Sequence, residues 1–389
     1  MRDLVTFEQA ISLIEKVSHT IGTEEVSLNF ALGRVLAQDV FAVEDHPRFA
    51  NSSVDGYALG SIDSPLTICA VIPAGIQGES LKTGEAARIF TGAPIPVGTV
   101  AIVKQEDAEV NGSALRFLSD HTSFEHFVRP QGGDFKAGDL LLPRGTTITP
   151  GAISLLAGQG IVTVVVANKV HVGILCTGNE LVPAEQVPQG AQIRNSNAPM
   201  LVALLEQLGC VVIDILTISD TFEATYGALE TLSAKCDLIV SSGGVSVGDY
   251  DHLASVGQQG WEVLFHGVRM KPGQPVLLAC CKNTFLAGLP GNPASGFVCF
   301  HLFVKSLVRR INRQIDWQPK FVTLKVGTKV EAPAIRDEFI RARLIDGVAF
   351  PYGDQTSSGL ISLAHAESLI RVHAGTKLDA GEFASCIIL

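Results

Sequence analysis

The sequence predicts an α/β protein that carries additional all-β modules, and three observations lead there. From Val170 to about residue 318, apolar runs alternate with helical patterns. That alternation marks a doubly wound parallel sheet with helices on both faces. Between about Phe41 and Asp139, short apolar runs such as "LTICAVIPAG" and "AARIFTGAPIPVGTVAIV" are cut by Gly and Pro, as in an all-β module. From about Pro319, period-2 alternation returns in "FVTLKV", "EFIRARLI" and "SLIRV", which reads as a small β-barrel-like domain. A chain of 389 residues has room for two to four domains. The expected divisions are residues 1–40 with 139–169, then 41–138, 170–318 and 319–389.

The elements follow in order. "TFEQAISLIEKV" is an amphipathic helix, with Thr6 as cap, Gln9 at the capping-box position, and a stripe of Ala10, Leu13, Ile14 and Val17. A short helix over residues 151–157 links two β stretches, and "AGDLLL" (137–142) is echoed by "AGEFAS" (380–385). "HVGILC", "CVVIDILTI" and "DLIVSS" are buried strands, and "WEVLF", "PVLLACC" and "TFLAGL" are further strand candidates. "NAPMLVALLEQLG" is a helix with Pro199 near its first turn and Gly209 at its end. "DTFEATYGALETLSA" is another, and "NPASGFVCFHLFVKSLVRR" is expected to be one long helix.

Composition removes several function classes. The formal charge is −10, and such a chain is a poor general binder of nucleic acid, whose phosphates need Lys and Arg. The eight cysteines are scattered with no C-x-x-C, which reads as buried thiols of a reducing cytosol rather than disulfides or zinc ligands. Cys280 and Cys281 are adjacent on a strand and point to opposite faces. The N-terminus bears charges throughout its apolar pattern and is neither a signal peptide nor a membrane span. A soluble cytoplasmic protein is expected.

Open parallel sheets bind ligands beyond the carboxyl ends of their strands, so those loops hold the candidate chemistry. "CTGNEL" places Glu180 there, and "TISDTFE" places Asp220, which is equally well read as a helix cap with Glu223. "SSGGVSVGDYD" is the most informative stretch. Gly243, Gly244 and Gly248 let backbone N–H groups converge on an anion, and Ser241, Ser242 and Ser246 add hydroxyls. Asp249 and Asp251 beside them suit a bridging Mg2+. In "LPGNPASGF", Pro290, Gly291, Asn292 and Pro293 form a helix start that can take an anion, although a well-made helix start explains them too. Lys271 in "RMKPGQP" is a phosphate or oxyanion partner, against the ordinary alternative of a solvated lysine. Dinucleotide, Walker A, nucleophile-elbow and H-E-x-x-H patterns are all missing from the sequence. The histidines show no metal-ligand spacing, and His252 and His266 read as structural or rim residues.

These pieces together resemble the MoeA family of molybdopterin molybdenumtransferases, which includes the E domain of gephyrin. The matching segments are "NSSVDGYAL", "IFTGAPIP", "QGGDFKAGD", "TGNEL", "IRNSNAPML", "SSGGVSVGDYDH", "MKPGQP" and "GLPGNPASG", in the family's order and over nearly the whole chain. The resemblance implies a MogA-like α/β domain, a C-terminal β-barrel, two smaller N-terminal domains that link and dimerise the chain, and a cleft at a dimer interface. It implies insertion of molybdate into the dithiolene of adenylylated molybdopterin, with Mg2+ required and AMP released. It carries functional roles to Asp55, Thr91, Asp134, Glu180, Asp220, Asp251, Lys271 and Ser357, with Glu180, Asp249 and Asp251 as Mg2+ ligands. Homodimerisation is implied, and other proteins of the same biosynthesis are further partners; nucleic acid and membrane are not. Many members carry a second lysine where this chain has Gly267, with His266 or Arg269 as the substitute charge, and an acid often precedes the Gly132-Gly133-Asp134 loop position. A MogA-type adenylyltransferase and a non-catalytic dimeric pterin-binding scaffold are the rival readings. The β modules at both ends oppose the first, and the retained acids Asp55, Glu180, Asp220 and Asp251 oppose the second.

Overall fold

The computed structural model describes residues 4–18, 21–246 and 251–389. The chain forms two compact units, one of Met1–Gln38, Arg144–Pro150 and Thr163–Leu389, the other of Asp39–Pro143 and Gly151–Val162.

The first unit is built on a six-stranded sheet. Its spatial order is Val211–Ile218, His171–Thr177, Leu238–Ser242, Thr284–Leu289, Leu277–Cys281, Glu262–His266. The first four strands are mutually parallel. The three central ones are buried almost throughout, as strands covered on both faces must be. Alternate residues feed two cores. Val172, Ile174, Leu238, Val240, Phe285 and Ala287 pack against helices Phe7–Glu15 and Asn197–Gln207 on one face. Leu175, Ile239 and Leu286 meet helix Phe222–Ser233 on the other. Cys280 joins the first core and Cys281 the second, as their adjacency on a strand requires. All eight cysteines are free.

The sheet departs from the all-parallel expectation at one edge, where Leu277–Cys281 and Glu262–His266 run antiparallel. Only Lys282 and Asn283 separate Cys281 from Thr284. Two residues make a hairpin and not a crossover, and Lys282 adopts the left-handed φ of 52° that such turns use.

Helix Phe7–Glu15 has the expected box: Gln9 N donates to Thr6 Oγ1 (3.1 Å) and Thr6 N to Gln9 Oε1 (2.8 Å). The long helix expected from residue 293 is present but not uniform. Pro293–Cys299 and Lys305–Ile311 are α-helical, and Phe300–Val304 between them is a π-turn. The linking helix runs over Pro150–Gly158.

The C-terminal strands Phe321–Val326, Asp337–Ile345, Val348–Pro351, Ser368–Val372 and Phe383–Ile388 close into a barrel, because Asp337–Ile345 pairs with both Val348–Pro351 and Ser368–Val372. Its interior holds Val326, Ile340, Ala342, Ala349, Ile370 and Cys386. The outward Phe339, Leu369 and Ile387 pack on the α/β core beside Phe7. The two-residue strand Met270–Lys271 extends this sheet, with Lys271 opposite Glu338.

The second unit is all-β apart from the linking helix and short 3-10 turns, centred on a seven-stranded sheet with Gly56–Leu59 between Glu85–Ile89 and Ala101–Lys104. The echo noted in the sequence is a shared turn: Asp139 Oδ2 accepts from Lys136 N (2.8 Å), and in the barrel Glu382 Oε2 accepts from Asp379 N (2.6 Å). Among the described residues no helix is long and apolar enough to cross a membrane.

Candidate active site

The parallel register brings Thr177, Ile218, Ser242 and Leu289 to one end of the sheet. The strand order reverses between His171–Thr177 and Leu238–Ser242, which makes a crevice at their carboxyl ends. Gly243 turns there with φ +96°, and a Cβ on it would lie 2.7 Å from Thr177 Oγ1, so no larger residue fits. Gly244 follows with φ +75°. Gly243 N donates to Leu289 O (2.9 Å), which fastens this loop to the one carrying Pro290 and Gly291. Ser241 is fully buried and its hydroxyl has no hydrogen-bond partner among the described residues. Ser246 is exposed. Gly248 and Asp249 lie outside the described residues.

Asn197 is a site residue that sequence reasoning missed. Its Nδ2 donates to Ser242 Oγ and to Gly291 O, both at 2.7 Å, and so bridges the two anion-type loops. The quoted "NSNAPML" contained it, but a helix start was explanation enough. Asn292 is the residue before helix Pro293–Cys299 and makes no side-chain cap there among the described residues. The open helix N-terminus expected there is partly filled, since Ala294 N donates to Ser357 O (3.0 Å).

The acids gather beside this crevice. Asp220 does not cap the following helix; Thr221 does, its side chain accepting from Ala224 N (3.3 Å). Thr221 is placed correctly because a cap hydroxyl must reach the N–H three residues on. Asp220 is thereby left for another task. Its Oδ2 accepts from Asn179 N and its own N–H donates to Asn179 Oδ1, each at 3.3 Å, so the loop bearing Glu180 is tied to it. A ring nitrogen of His252, the residue after Asp251, lies 3.3 Å from Asp220 O. Asp251 is half-buried at the start of the 3-10 helix His252–Gln259, and Glu180 is exposed. Among the described residues no group of three or more His, Cys, Asp and Glu side chains is arranged as a preformed metal cage.

Lys271 is not a freely solvated lysine. Its Nζ lies 2.9 Å from Glu338 Oε1, a carboxylate that the sequence reading did not single out. Gly267 has φ +94°, and a Cβ there would stand 2.5 Å from Leu4 Cδ2. A lysine there would have to take a left-handed backbone and displace the end of the Leu4 side chain. Of the two substitutes, His266 points toward the glycine loop, its Nε2 lying 2.7 Å from Val245 O. Arg269 instead lines a groove with Arg336, Asp337 and Arg371.

Ser357 sits on a loop organised by Arg341, also missed in the sequence. This arginine is fully buried inside the strand Asp337–Ile345. Its Nη2 donates to Asp354 O (3.2 Å) and Thr356 O (2.9 Å), and its Nε to Ser362 Oγ (2.9 Å). Thr356 N and Oγ1 donate to the two carboxylate oxygens of Asp354, which with the Arg341 charge holds that carboxyl below the usual range.

In the second unit, Asp55 and Thr91 meet directly. Asp55 Oδ1 accepts from Thr91 N and Thr91 Oγ1, both at 2.8 Å. Those two hydrogen bonds, and then the nearby Arg88 charge, hold the Asp55 carboxyl below its ordinary value. Asp134 lines a cleft with Asn51, His46 and Gly92, the residue after Thr91. Asn51 is buried and its Oδ1 is unpartnered among the described residues.

Three family patterns match the chain in order. The MoeA N-terminal region, domains I and II, matches residues 5–160. A probable molybdopterin-binding domain matches residues 173–310, and the MoeA C-terminal region, domain IV, matches residues 323–389. The chain is similar to the molybdopterin molybdenumtransferase of Staphylococcus aureus, with 32% identity over 97% of this chain and 93% of that one. It is similar to the protein of the same name from Staphylococcus epidermidis, with 31% identity over 100% of this chain and 96% of that one. Structures of the molybdopterin biosynthesis MoeA protein from Pyrococcus horikoshii superpose with a TM-score of 0.84 at 27% identity over the whole of both chains, and 0.78 at 30% identity over 99% of each. Matched from end to end and folded in the same way, this chain belongs to the MoeA family.

Proposed function

We propose that this protein is a molybdopterin molybdenumtransferase that inserts molybdate into the dithiolene of adenylylated molybdopterin, with AMP leaving. The transferase assignment in molybdenum cofactor biosynthesis rests on family membership. The finer reading rests on one observation: an anion-type glycine loop, a helix start and two acids converge at the sheet's switch point, fastened together by Asn197 and Asn179.

In this reading the N–H groups around Gly243 and Gly244, with Ser242, receive the phosphates of the substrate. Lys271 neutralises the incoming oxyanion, which draws it from Glu338. Either Asp220 or Asp251 orients the water or oxyanion that breaks the adenylate linkage. Mg2+ would be held by Glu180 and Asp251, whose hard carboxylate oxygens are joined by those of the substrate phosphates, since the described residues form no metal cage of their own. Bound there, the ion supplies charge neutralisation at the pyrophosphate. Asp249 is the third carboxylate donor by resemblance. The molecule works as a homodimer in which Asp55, Thr91 and Asp134 complete the cleft of the other subunit. Eight free cysteines fit a reducing cytoplasm.

The test is AMP release from adenylylated molybdopterin, measured with Mg2+ and with or without molybdate. Molybdate-dependent release is expected. Tight pterin binding without AMP release would overturn the reading in favour of a scaffold, and net formation of the adenylate would favour an adenylyltransferase.

A further inference from the structure

The long helix that begins at the site carries a second, unrelated arrangement further along. His301, Lys305 and Arg309 are spaced four residues apart and line one side of a cavity of about 310 Å3. Lys320 and Gln314 line it from the segment that leads into the barrel. His301 is only 6% exposed, yet neither ring nitrogen has a partner among the described residues. Burial, then the neighbouring Lys305 charge, pushes its imidazole down to about 3, so it is neutral and keeps one N–H to donate.

The cations are poorly matched. Among the described residues Asp316 is the one acid lining the cavity; its charge acts on Arg309, which also donates to the Asp316 backbone carbonyl (3.5 Å). Lys305 and Arg309, four apart on a helix, repel each other unless an anion lies between them. The backbone is irregular at the same place: the π-turn Phe300–Val304 contains His301 and ends at Lys305. Single π-turns inside helices cost regular hydrogen bonding and are frequent at functional sites.

We propose that this cavity is a binding site for a small tetrahedral oxyanion, either free phosphate or the phosphate of a nucleoside monophosphate. Two ammonium groups, a guanidinium fork and an imidazole N–H face a single carboxylate, Asp316, and that excess of donors is the chemistry a phosphate group answers. The volume is at the lower end of small-molecule sites, large enough for either source. The site is independent of the transferase reading, since it shares no residue with the crevice.

The experiment is calorimetric titration of the full chain with inorganic phosphate and, separately, with AMP. Each titration is compared between the wild-type chain and a Lys305→Met, Lys320→Met chain, so that binding at the crevice, common to both, cancels. A saturable component of one ligand per chain is expected that the two substitutions weaken by about tenfold or more. Lys320→Met alone, at an exposed position, should weaken it with folding intact by circular dichroism. AMP binding tighter than phosphate assigns the site to a nucleotide; equal binding assigns it to the free ion. Isotherms that are the same for the wild-type and the doubly substituted chain overturn the proposal.

Discussion

Asp251 and Asp220 lie on adjacent loops, and Asp220 also holds the Asn179 loop. Asp251→Asn should fold normally and slow AMP release by about 10²-fold or more. Single-turnover kinetics would check this, and wild-type turnover would remove Asp251 from the chemistry. Asp55 offers a test that needs no substrate. Its folded carboxyl lies below the unfolded value, so the stabilisation it contributes is present above the unfolded value. That stabilisation is lost as pH falls through the folded one. Thr91→Val removes one of its two hydrogen bonds and should raise the carboxyl's titration midpoint toward the ordinary range, as followed by carboxyl NMR. An unmoved midpoint would mean the pair does not form. Gly267→Lys, the substitution that restores the family's common residue, should destabilise the chain by about 1–2 kcal/mol through its left-handed backbone, before any clash with Leu4 is counted. Chemical denaturation reads this directly.

At the scale of elements, the loop of Ser357 depends on Arg341. Arg341→Met leaves two carbonyls and a hydroxyl without their donor and should cost about 2–4 kcal/mol. The Ala294 N–H that donates to Ser357 O should then exchange faster with solvent. Unchanged protection at Ala294 would mean that the loop holds its place without the arginine. Arg341 and Glu338 also show where sequence reading stops. On a strand read as alternating, both look like ordinary polar positions, and only the structure, which buries Glu338 to Ala342 without a break, reveals them as partnered interior groups. Thr221 is the opposite case. The cap and the acid are neighbours in "SDTFE", and either fits the pattern until the geometry assigns the hydroxyl to Ala224 N. The parallel strands and the glycine loop were readable because period and glycine spacing are local properties. The antiparallel edge was missed because "PVLLACC" and "TFLAGL" look like any buried strands, although the two residues between them excluded a crossover.

For the whole molecule, the proposal that Asp55 serves the other subunit's cleft has a quantitative consequence. Asp55→Asn and Asp251→Asn should each be inactive alone. Mixed and reassociated one to one, they should recover about a quarter of wild-type activity, because half the dimers are mixed and each holds one intact site. No recovery on confirmed subunit exchange would place both residues in the same subunit's site. In sequence, the inter-subunit role of Asp55 comes from the family resemblance and not from the residues around it.

The pairing of the chain's two ends sets the order in which it can be finished on the ribosome. The ring of Phe7 packs against Phe303, Phe321 and Phe339, and the carboxylate of Glu8 meets Arg371, 363 residues later. The first helix is therefore made almost at once, while Phe303, Phe321 and Phe339, which complete the cluster around Phe7, come far later in the chain. The β-rich unit, wholly contained in residues 39–162, emerges complete while that helix still waits. One of the last strands thus reaches back to the first helix, and a nascent chain stalled before Arg371 would lack the partner that holds Glu8.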